Sequence, residues 1–192
     1  MENKELINFY SDIQEEVRSN LVSIEEGSNP EQIFTEYVLN LLAETGETEN
    51  FRVCFDEKIS KRGIEHKLNG YALYENYETL DLFISIYFSG DEITAIPKSE
   101  VERAFDKLTK FFRNSVYKEY VKEIEESSEV FDLAHTLANS KEVTEFLTRV
   151  NLFVITNGEI KYDSKESNKV GGYPVFFRTI DINYLFNLSE KS

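Results

Sequence analysis

Residues 68–88 read LNGYALYENYETLDLFISIYF, and this stretch decides the fold. Asn69 and a glycine open a first apolar strand, and a second strand follows over residues 80–88. The second strand is apolar at nearly every position, which is typical of a strand that is covered on both faces. The sequence therefore predicts two consecutive strands in the interior of the protein.

One more strand is predicted before this pair. Phe51, Val53 and Phe55 alternate with residues that are polar apart from Cys54. A turn over residues 58–63 then leads into the first strand of the pair, at residues 64–74. This alternation is the period-two pattern of a β-strand, so three strands are expected to follow one another along the chain.

Two amphipathic helices are predicted at the N-terminus. Apolar residues recur at three- and four-residue spacings over residues 4–24, and a second stripe of the same kind follows Pro30. Asn29 can accept a hydrogen bond from a free amide of the first helical turn, and proline suits the first helical position. The second helix is expected to run to about Ala43, with Gly46 as its stop.

Helices return in the second half of the chain. Ser99 and Glu102 have the spacing of a capping box at the start of a third helix, which continues or breaks before residues 117–124. A further helical segment, with an interruption, covers roughly residues 129–148. Three α-helical stretches are therefore expected between the third and the fourth strand.

The last quarter of the chain is predicted to be rich in strands. The predicted elements are, in order, a strand at 151–155, a hairpin turn at Asn157-Gly158, a strand at 159–162, a surface loop at 163–169, a turn at Gly171-Gly172, a strand at 175–180 and a helix at 182–188. No repeat, heptad seam or long linker is visible, so residues 1–192 are expected to form one domain.

These elements predict the α+β class, with α/β-like features: a central mixed sheet flanked by helices, in the order α-α-β-β-β-α-α-α-β-β-β-α. The order contains the α-β-β-β-α-β core of the restriction-endonuclease-like nucleases. In those sites, carboxylates on adjacent strands, a lysine two residues further on and in some cases a helix glutamate hold a divalent metal, which activates water. The second and third strands of the prediction are therefore the place to look for an active site.

Such a site is incomplete in this sequence. Glu36 occupies the helix position and Asn69 occupies the first strand position, where an amide lacks the charge of an aspartate. The next strand has neither an acid nor a lysine over residues 83–87, and Asp81 and Asp91 only flank it. Glu36, Asn69 and Asp81 are thus the candidate positions of a degenerate catalytic site, and we expect no bound metal or other cofactor.

The chain resembles the N-terminal domain of the abortive infection phage resistance (AIPR) proteins. The resemblance rests on FTEYVLNLLAETGE, LNGYALYENYETLDLFISIYF, LFVITNG and VGGYPVFFRTIDINYLF, which together span most of the chain. The family pattern has an aspartate in "DGYA", where this chain has Asn69, and often an acid in the strand that includes Ile84-Ser85-Ile86-Tyr87. The resemblance implies a degenerate copy of a nuclease-like module that acts in phage defence.

The formal net charge is −15, and residues 1–50 hold 12 acidic residues against 2 basic ones. An acidic field repels phosphate backbones, so nucleic-acid binding by this chain alone is disfavoured. The charged N-terminus and the lack of an apolar run of membrane-spanning length predict a cytoplasmic protein that does not associate with a membrane. The acidic charges either form a contact surface or are simply solvated helix faces.

Two main hypotheses follow. The first is an interaction or regulatory module that acts through a protein partner or through a C-terminal effector region. The second is a Mg²⁺-dependent nuclease whose carboxylates have migrated, with Glu36, Asp81 and either Glu65 or Glu75 as ligands. A domain that pairs with a second copy of itself is a third possibility.

The remaining chemically active side chains are predicted to be structural. Cys54 alternates with apolar neighbours and is expected to be an inert, buried thiol. His66 and His135 are far apart in the sequence and lack the spacing of a zinc site, so each is assigned a structural or surface role.

Overall fold

The computed structural model describes residues 3–23, 29–162 and 167–191. The strands in these ranges are β1 (Arg52–Ser60), β2 (Gly63–Leu73), β3 (Thr79–Ile86), β4 (Arg149–Thr156), β5 (Ser167–Val170) and β6 (Tyr173–Ile180). The helices are α1 (Lys4–Ser23), α2 (Pro30–Glu44), α3 (Lys98–Tyr117), α4 (Phe131–Asn139), α5 (Lys141–Phe146) and α6 (Ile182–Ser189), with a 3₁₀ turn at Tyr120–Glu123. The predicted elements are found except in the last quarter of the chain, where the second strand is β5 at Ser167–Val170 and not a strand at 159–162.

The strands form one mixed sheet in the order β1-β2-β3-β4-β6-β5. β1, β2 and β3 make an antiparallel meander, while β3, β4 and β6 run parallel to one another. β5 pairs antiparallel with β6 and forms the second edge of the sheet. The predicted α+β architecture with a central mixed sheet is therefore confirmed.

Helices cover both faces of the sheet and enclose two separate cores. α3 and α4 pack with Leu80, Leu82 and Ile84 of β3 on one face. α1, α2 and α6 pack on the other face, where Phe83 stacks on Phe153 of β4 with ring centroids 4.8 Å apart. β3 contributes to both cores, which explains why its sequence is apolar at successive positions.

The helix boundaries follow from local capping with one correction. Asn29 Oδ1 accepts a hydrogen bond from the Gln32 amide at 2.8 Å, as predicted for the start of α2. α3, however, begins at Lys98 behind Pro97, and no side chain caps it, so the capping box at Ser99 is wrong. The segment at 129–148 is interrupted at Ser140, whose Oγ accepts from the Val143 amide at 3.3 Å and starts α5.

The predicted hairpin at Asn157-Gly158 is also wrong. Asn157 is fully buried, and its side-chain amide makes two hydrogen bonds to the backbone of Phe88, at 2.8 and 2.9 Å. Glu159 forms only an isolated bridge with Ala95 instead of a strand. The hairpin of this region is β5–β6, which turns at Gly171-Gly172 as predicted, and part of the supposed loop at 163–169 is the strand β5. Residues 163–166 of that loop lie outside the described residues.

Among the described helices, none has the length and apolar character needed to cross a bilayer.

Candidate functional site

The candidate site lies where β2 and β3 separate. Their pairing runs from Leu73 opposite Leu80 to Gly70 opposite Phe83 and then stops. At the next position the Ser85 backbone N–H donates to Asn69 Oδ1 at 2.8 Å. The Asn69 side chain thus accepts a hydrogen bond that the backbone of a paired strand would otherwise accept. The first turn of α2 lies over the gap between β2 and β3.

Five residues form a hydrogen-bonded group at this point, which we call the Asn69 cluster: Glu31, Gln32, Thr35, Asn69 and Ser85. Asn69 is fully buried, and its Nδ2 donates to Glu31 Oε2 and to Gln32 Oε1, both at 2.8 Å. Gln32 Nε2 donates in turn to the Asn69 backbone oxygen at 3.3 Å. Both N–H groups and the oxygen of the Asn69 amide are therefore engaged within the protein.

Donor and acceptor can be assigned for the hydrogen bond between the two hydroxyl groups of the Asn69 cluster. Thr35 Oγ1 donates to the Glu31 backbone oxygen at 2.7 Å and lies 2.6 Å from Ser85 Oγ. Because the single hydroxyl proton of Thr35 is used by Glu31, Ser85 donates the bond between the two hydroxyl oxygens. Thr35 and Ser85 are both buried, so neither hydroxyl is left facing solvent.

Glycine at position 70 allows α2 to approach the strand so closely. A Cβ added to Gly70 would lie 2.9 Å from Leu39 Cδ1 and 3.1 Å from the Arg52 backbone oxygen. Any larger residue would therefore require the Leu39 side chain of α2 and the β1 backbone at Arg52 to shift.

Glu31 is the only carboxylate within the Asn69 cluster, and it is already paired. Lys67 Nζ lies 2.8 Å from Glu31 Oε1, with both side chains largely shielded from solvent. The second oxygen of this carboxylate accepts the bond from Asn69. A carboxylate with one oxygen on a lysine and the other on an amide has little left to offer a cation.

The three residues predicted for the site lie in different places. Asn69 is at the centre of the cluster, but Glu36 is exposed on α2 and lines a groove with Glu16, Tyr37 and Glu44. Asp81 is buried and bonds to side chains other than those that hold Asn69. The structure therefore brings none of these three residues into a common hydrogen-bonded group.

Asp81 has its own set of donors. Asp81 Oδ2 accepts from Thr48 Oγ1 at 2.7 Å and from the Tyr74 hydroxyl at 3.0 Å, while Oδ1 accepts from Asn151 Nδ2 at 2.8 Å. Burial raises the pKa of Asp81, and these three donors, together with Arg178, oppose that rise. The arrangement is that of a buried carboxylate whose lone pairs are taken up by the protein.

The two further carboxylates considered for a migrated site are also separated. Glu65 accepts from Asn114 Nδ2 of α3 at 2.8 Å, and Glu75 is exposed in the turn between β2 and β3. In the part of the chain that the structure describes, no group of three or more histidine, cysteine or acidic side chains is placed to hold a metal ion.

His66 has a structural role, as predicted. Its Nε2 lies 2.8 Å from Asp56 Oδ2, and its Nδ1 lies 2.9 Å from Asn114 Nδ2. Because Asn114 can only donate through Nδ2, His66 accepts at Nδ1 and donates to Asp56 through Nε2. The Tyr120 hydroxyl also donates to Asp56, at 2.9 Å, so this buried group is satisfied. His135 is exposed on α4.

An open cleft lies beside the Asn69 cluster at the end of β3, between the first turn of α2 and α3. Its volume is about 410 Å³, and its walls include Glu31, Lys67, Ser85 and, from α3, Arg103 and Lys107. We call it the α2–α3 cleft.

A second cavity of about 450 Å³ shares Glu31, Lys67 and Tyr87 with the α2–α3 cleft and reaches Pro30 and Phe55. Sequence analysis missed both the cleft and the residues that bond Asn69. The available signals were the position of Glu31 in the first turn after Pro30 and the small polar Ser85 in an otherwise apolar strand.

Comparison with known proteins identifies a family. The sequence model of the abortive infection phage resistance protein N-terminal domain matches residues 34–187, which is most of the chain. No curated protein and no solved structure matches the chain. The matched range includes β1 to β6 and three members of the Asn69 cluster, and it agrees with the resemblance seen in the sequence. This chain therefore belongs to the family of abortive infection phage resistance protein N-terminal domains.

Proposed function

We propose that this chain is a non-cleaving module with a restriction-endonuclease-like core, which serves phage defence through a protein partner or an effector region. Its family is linked to abortive-infection phage resistance. From α2 to β4 the elements follow the α-β-β-β-α-β order of that core, with a 3₁₀ turn, α4 and α5 inserted between α3 and β4. The antiparallel meander is followed by this helical crossover to a parallel strand. This correspondence supports the assignment of the core.

The main observation behind the proposal is that the polar groups of the Asn69 cluster are already hydrogen-bonded or paired with other groups of the protein. A nuclease of this type needs several oxygen ligands around Mg²⁺, at least two of them charged. Here the strand positions hold Asn69 and Ser85, and the amide of Asn69 is occupied by three protein groups. Glu31, the remaining carboxylate, is paired with Lys67. The cluster therefore holds α2 against the sheet and leaves no set of charged ligands for a metal.

The surface that we propose for the partner is the acidic side of α1 and α2. Glu16, Glu36 and Glu44 surround Tyr37 in the groove between these helices. Burial raises the pKa of Tyr37, and the neighbouring carboxylates of Glu16, Asp12 and Glu44 raise it further. A partner with a basic surface would be attracted to this field, and its encounter rate would fall with added salt.

The alternative function is a Mg²⁺-dependent nuclease with a migrated site. It would need Glu36, Asp81 and either Glu65 or Glu75 to converge on one ion. The single observation in its favour is the raised pKa of the buried Asp81, since perturbed carboxylates occur often in active sites.

Calorimetric titration with Mg²⁺ and Mn²⁺, run beside cleavage assays on single- and double-stranded DNA and RNA, tests the proposal. We expect no saturable metal binding and no cleavage. Cleavage that is lost in Glu31→Gln but kept in Glu126→Gln, the same change at an exposed site that neither hypothesis uses, would overturn the proposal. Cleavage that is lost in Asp81→Asn or Glu36→Gln would establish the migrated site instead.

A further inference from the structure

We propose that the α2–α3 cleft and the cavity that adjoins it bind a mononucleotide without a metal ion. The phosphate would lie against Lys67, Arg103 and Lys107, and the base would lie against Phe55 and Tyr87. This inference rests on the proposed function, because the ligand would occupy the same non-cleaving site as a bound signal instead of a substrate. It adds a ligand class that the family membership does not supply.

The α2–α3 cleft contains cations that form no salt bridge within the described part of the chain. Arg103 and Lys107 lie one turn apart on α3, and among the described residues neither forms a salt bridge. Two other lysines of the same helix do: Lys98 pairs with Glu102 and Lys110 pairs with Asp106. The acidic wall residues of the α2–α3 cleft are Glu100 and the already paired Glu31, and the adjoining cavity adds Glu57. Although the chain has a net charge of −15, this cleft contains two cations without a salt bridge to any described residue, Arg103 and Lys107, beside the paired Lys67.

The cations of α3 lie on the same cleft as Lys67 of β2. Ala104, which lies between Arg103 and Lys107 in the sequence and has only a methyl side chain, also lines this cleft. Arginine and lysine that converge on one space from a helix and a strand can bind a phosphate from two directions. Lys67 is fixed by Glu31, so part of the cation set is already ordered before a ligand enters.

The adjoining cavity has an aromatic side. Phe55 is 38% exposed on the edge strand β1 and lines this cavity. The Tyr87 hydroxyl donates to Gln14 Oε1 at 2.9 Å, and its ring packs on Phe34 with centroids 5.2 Å apart. Phe55 therefore offers a stacking surface and Tyr87 a fixed wall.

The size and the charge of the site both favour a small ligand. Cavities of about 410 and 450 Å³ that share three wall residues fall in the range of small-molecule sites. A long polyanion would also meet the acidic field of α1 and α2, which repels it over roughly a Debye length of about 10 Å. A mononucleotide has a single phosphate group to place and a ring to stack.

The test is a titration of the purified chain with 5′-AMP, 5′-UMP and inorganic phosphate in EDTA, followed by calorimetry or by amide chemical shifts. We expect saturable binding of a nucleotide and weaker binding of phosphate. Arg103→Glu/Lys107→Glu should weaken nucleotide binding by about tenfold or more, as expected for the loss of charge-assisted contacts. The matched control is Lys61→Glu/Lys141→Glu, which makes the same net-charge change at exposed lysines away from the cleft and should stay within about twofold.

A separate variant tests the contribution of the aromatic side of the adjoining cavity. Phe55→Ser should reduce nucleotide affinity towards that of inorganic phosphate and leave phosphate binding unchanged. Equal weakening in the two charge-reversal variants, or no saturable binding up to about 10 mM nucleotide, would overturn the inference and leave the proposed function intact. Binding that requires Mg²⁺ and leads to cleavage of a phosphodiester would overturn the proposed function instead.

Discussion

Asn69→Asp is the most informative single change, because it introduces the charge that the proposed degenerate site lacks while keeping the shape of the side chain. Asn69 Nδ2 now donates to Glu31 Oε2 at 2.8 Å, so the substitution places two carboxylate oxygens at that distance in a fully buried position. It also removes the donor to Gln32 Oε1. The variant should fold, but with a marked loss of stability at neutral pH.

The loss of folding stability is set by whichever of two protonation states of the carboxyl pair costs less free energy. Two charged oxygens 2.8 Å apart would repel by about 6 kcal/mol at an effective dielectric constant of about 20. Holding one proton between the two carboxyl groups at pH 7 costs about 4 kcal/mol, since an ordinary aspartate titrates near pH 4. The shared proton is the cheaper outcome, and the lost bond to Gln32 adds about 1 kcal/mol. We therefore expect a decrease of about 4 to 5 kcal/mol in the free energy of unfolding.

The stability of the Asn69→Asp variant should depend on pH, and the direction of this dependence follows from the proton that the carboxyl pair shares. The folded carboxyl pair binds its proton more tightly than the unfolded chain does, so the variant is least destabilised near pH 4 and loses stability as the pH rises from there to 7. Mg²⁺ can replace the proton between two carboxylates, so it should raise the melting temperature of the variant and leave that of the unchanged protein alone.

Urea denaturation at pH 4.5, 6 and 7.5, with and without Mg²⁺, measures these effects. Asn76→Asp is the matched control, because Asn76 also donates to a carboxylate, that of Glu78 at 3.2 Å, but in an exposed turn. The control should change stability by less than about 0.5 kcal/mol. If Asn69→Asp costs less than about 1 kcal/mol at pH 7.5, or if its cost does not grow with pH, Asn69 is not held by Glu31 as described.

Three further changes test other parts of the structure. Gly171 has a φ of +60°, and an added Cβ would collide with the Tyr117 hydroxyl, so Gly171→Ala should lower the free energy of unfolding by about 1–2 kcal/mol, whereas Gly172→Ala, which meets open space, should be near neutral in urea denaturation. Burial raises the pKa of Cys54 to about 12, so its thiol should react with a disulfide reagent at pH 8 about a thousandfold more slowly in the native than in the urea-unfolded chain, and fast native labelling would contradict its burial. The pKa of Asp81 is raised in the folded state, so the stabilising contribution of its protonated form is lost as the pH rises; the stability advantage of the unchanged protein over Asp81→Asn should shrink between pH 4 and 7, and a growing advantage would refute this.

Most of the elements were predictable because they depend on local patterns. Residues 80–85 of the apolar run are buried within β3, and the Asn29-Pro30 pair starts α2. β5 was missed because SNKV has no apolar alternation and exists only by pairing with β6. The Asn157-Gly158 hairpin failed because the side chain of Asn157 bonds the backbone of Phe88, 69 positions earlier, and this tertiary contact outweighs the local turn signal.

The site was predictable at one residue only. Asn69 was identified because it opens an apolar strand next to a glycine, and it is the centre of the cluster. Its partners on α2 could not be predicted, since the rotation of a helix over a sheet depends on contacts between distant parts of the chain. Glu36 satisfied the sequence pattern, but Glu31, one and a half turns earlier, is the glutamate that faces β2.

The parallel pairing of β3 with β4 has a consequence for how the chain folds. β1, β2 and β3 are joined by short turns, but Asp81 and Asn151, which bond across β3 and β4, are 70 positions apart. Local hairpins close within microseconds, whereas distant strands must first overcome a larger loop-closure entropy. The meander should therefore form first, with one edge of β3 open until the helical crossover delivers β4. During synthesis, the aggregation-prone edge of β3 is exposed for as long as the ribosome needs to complete β4.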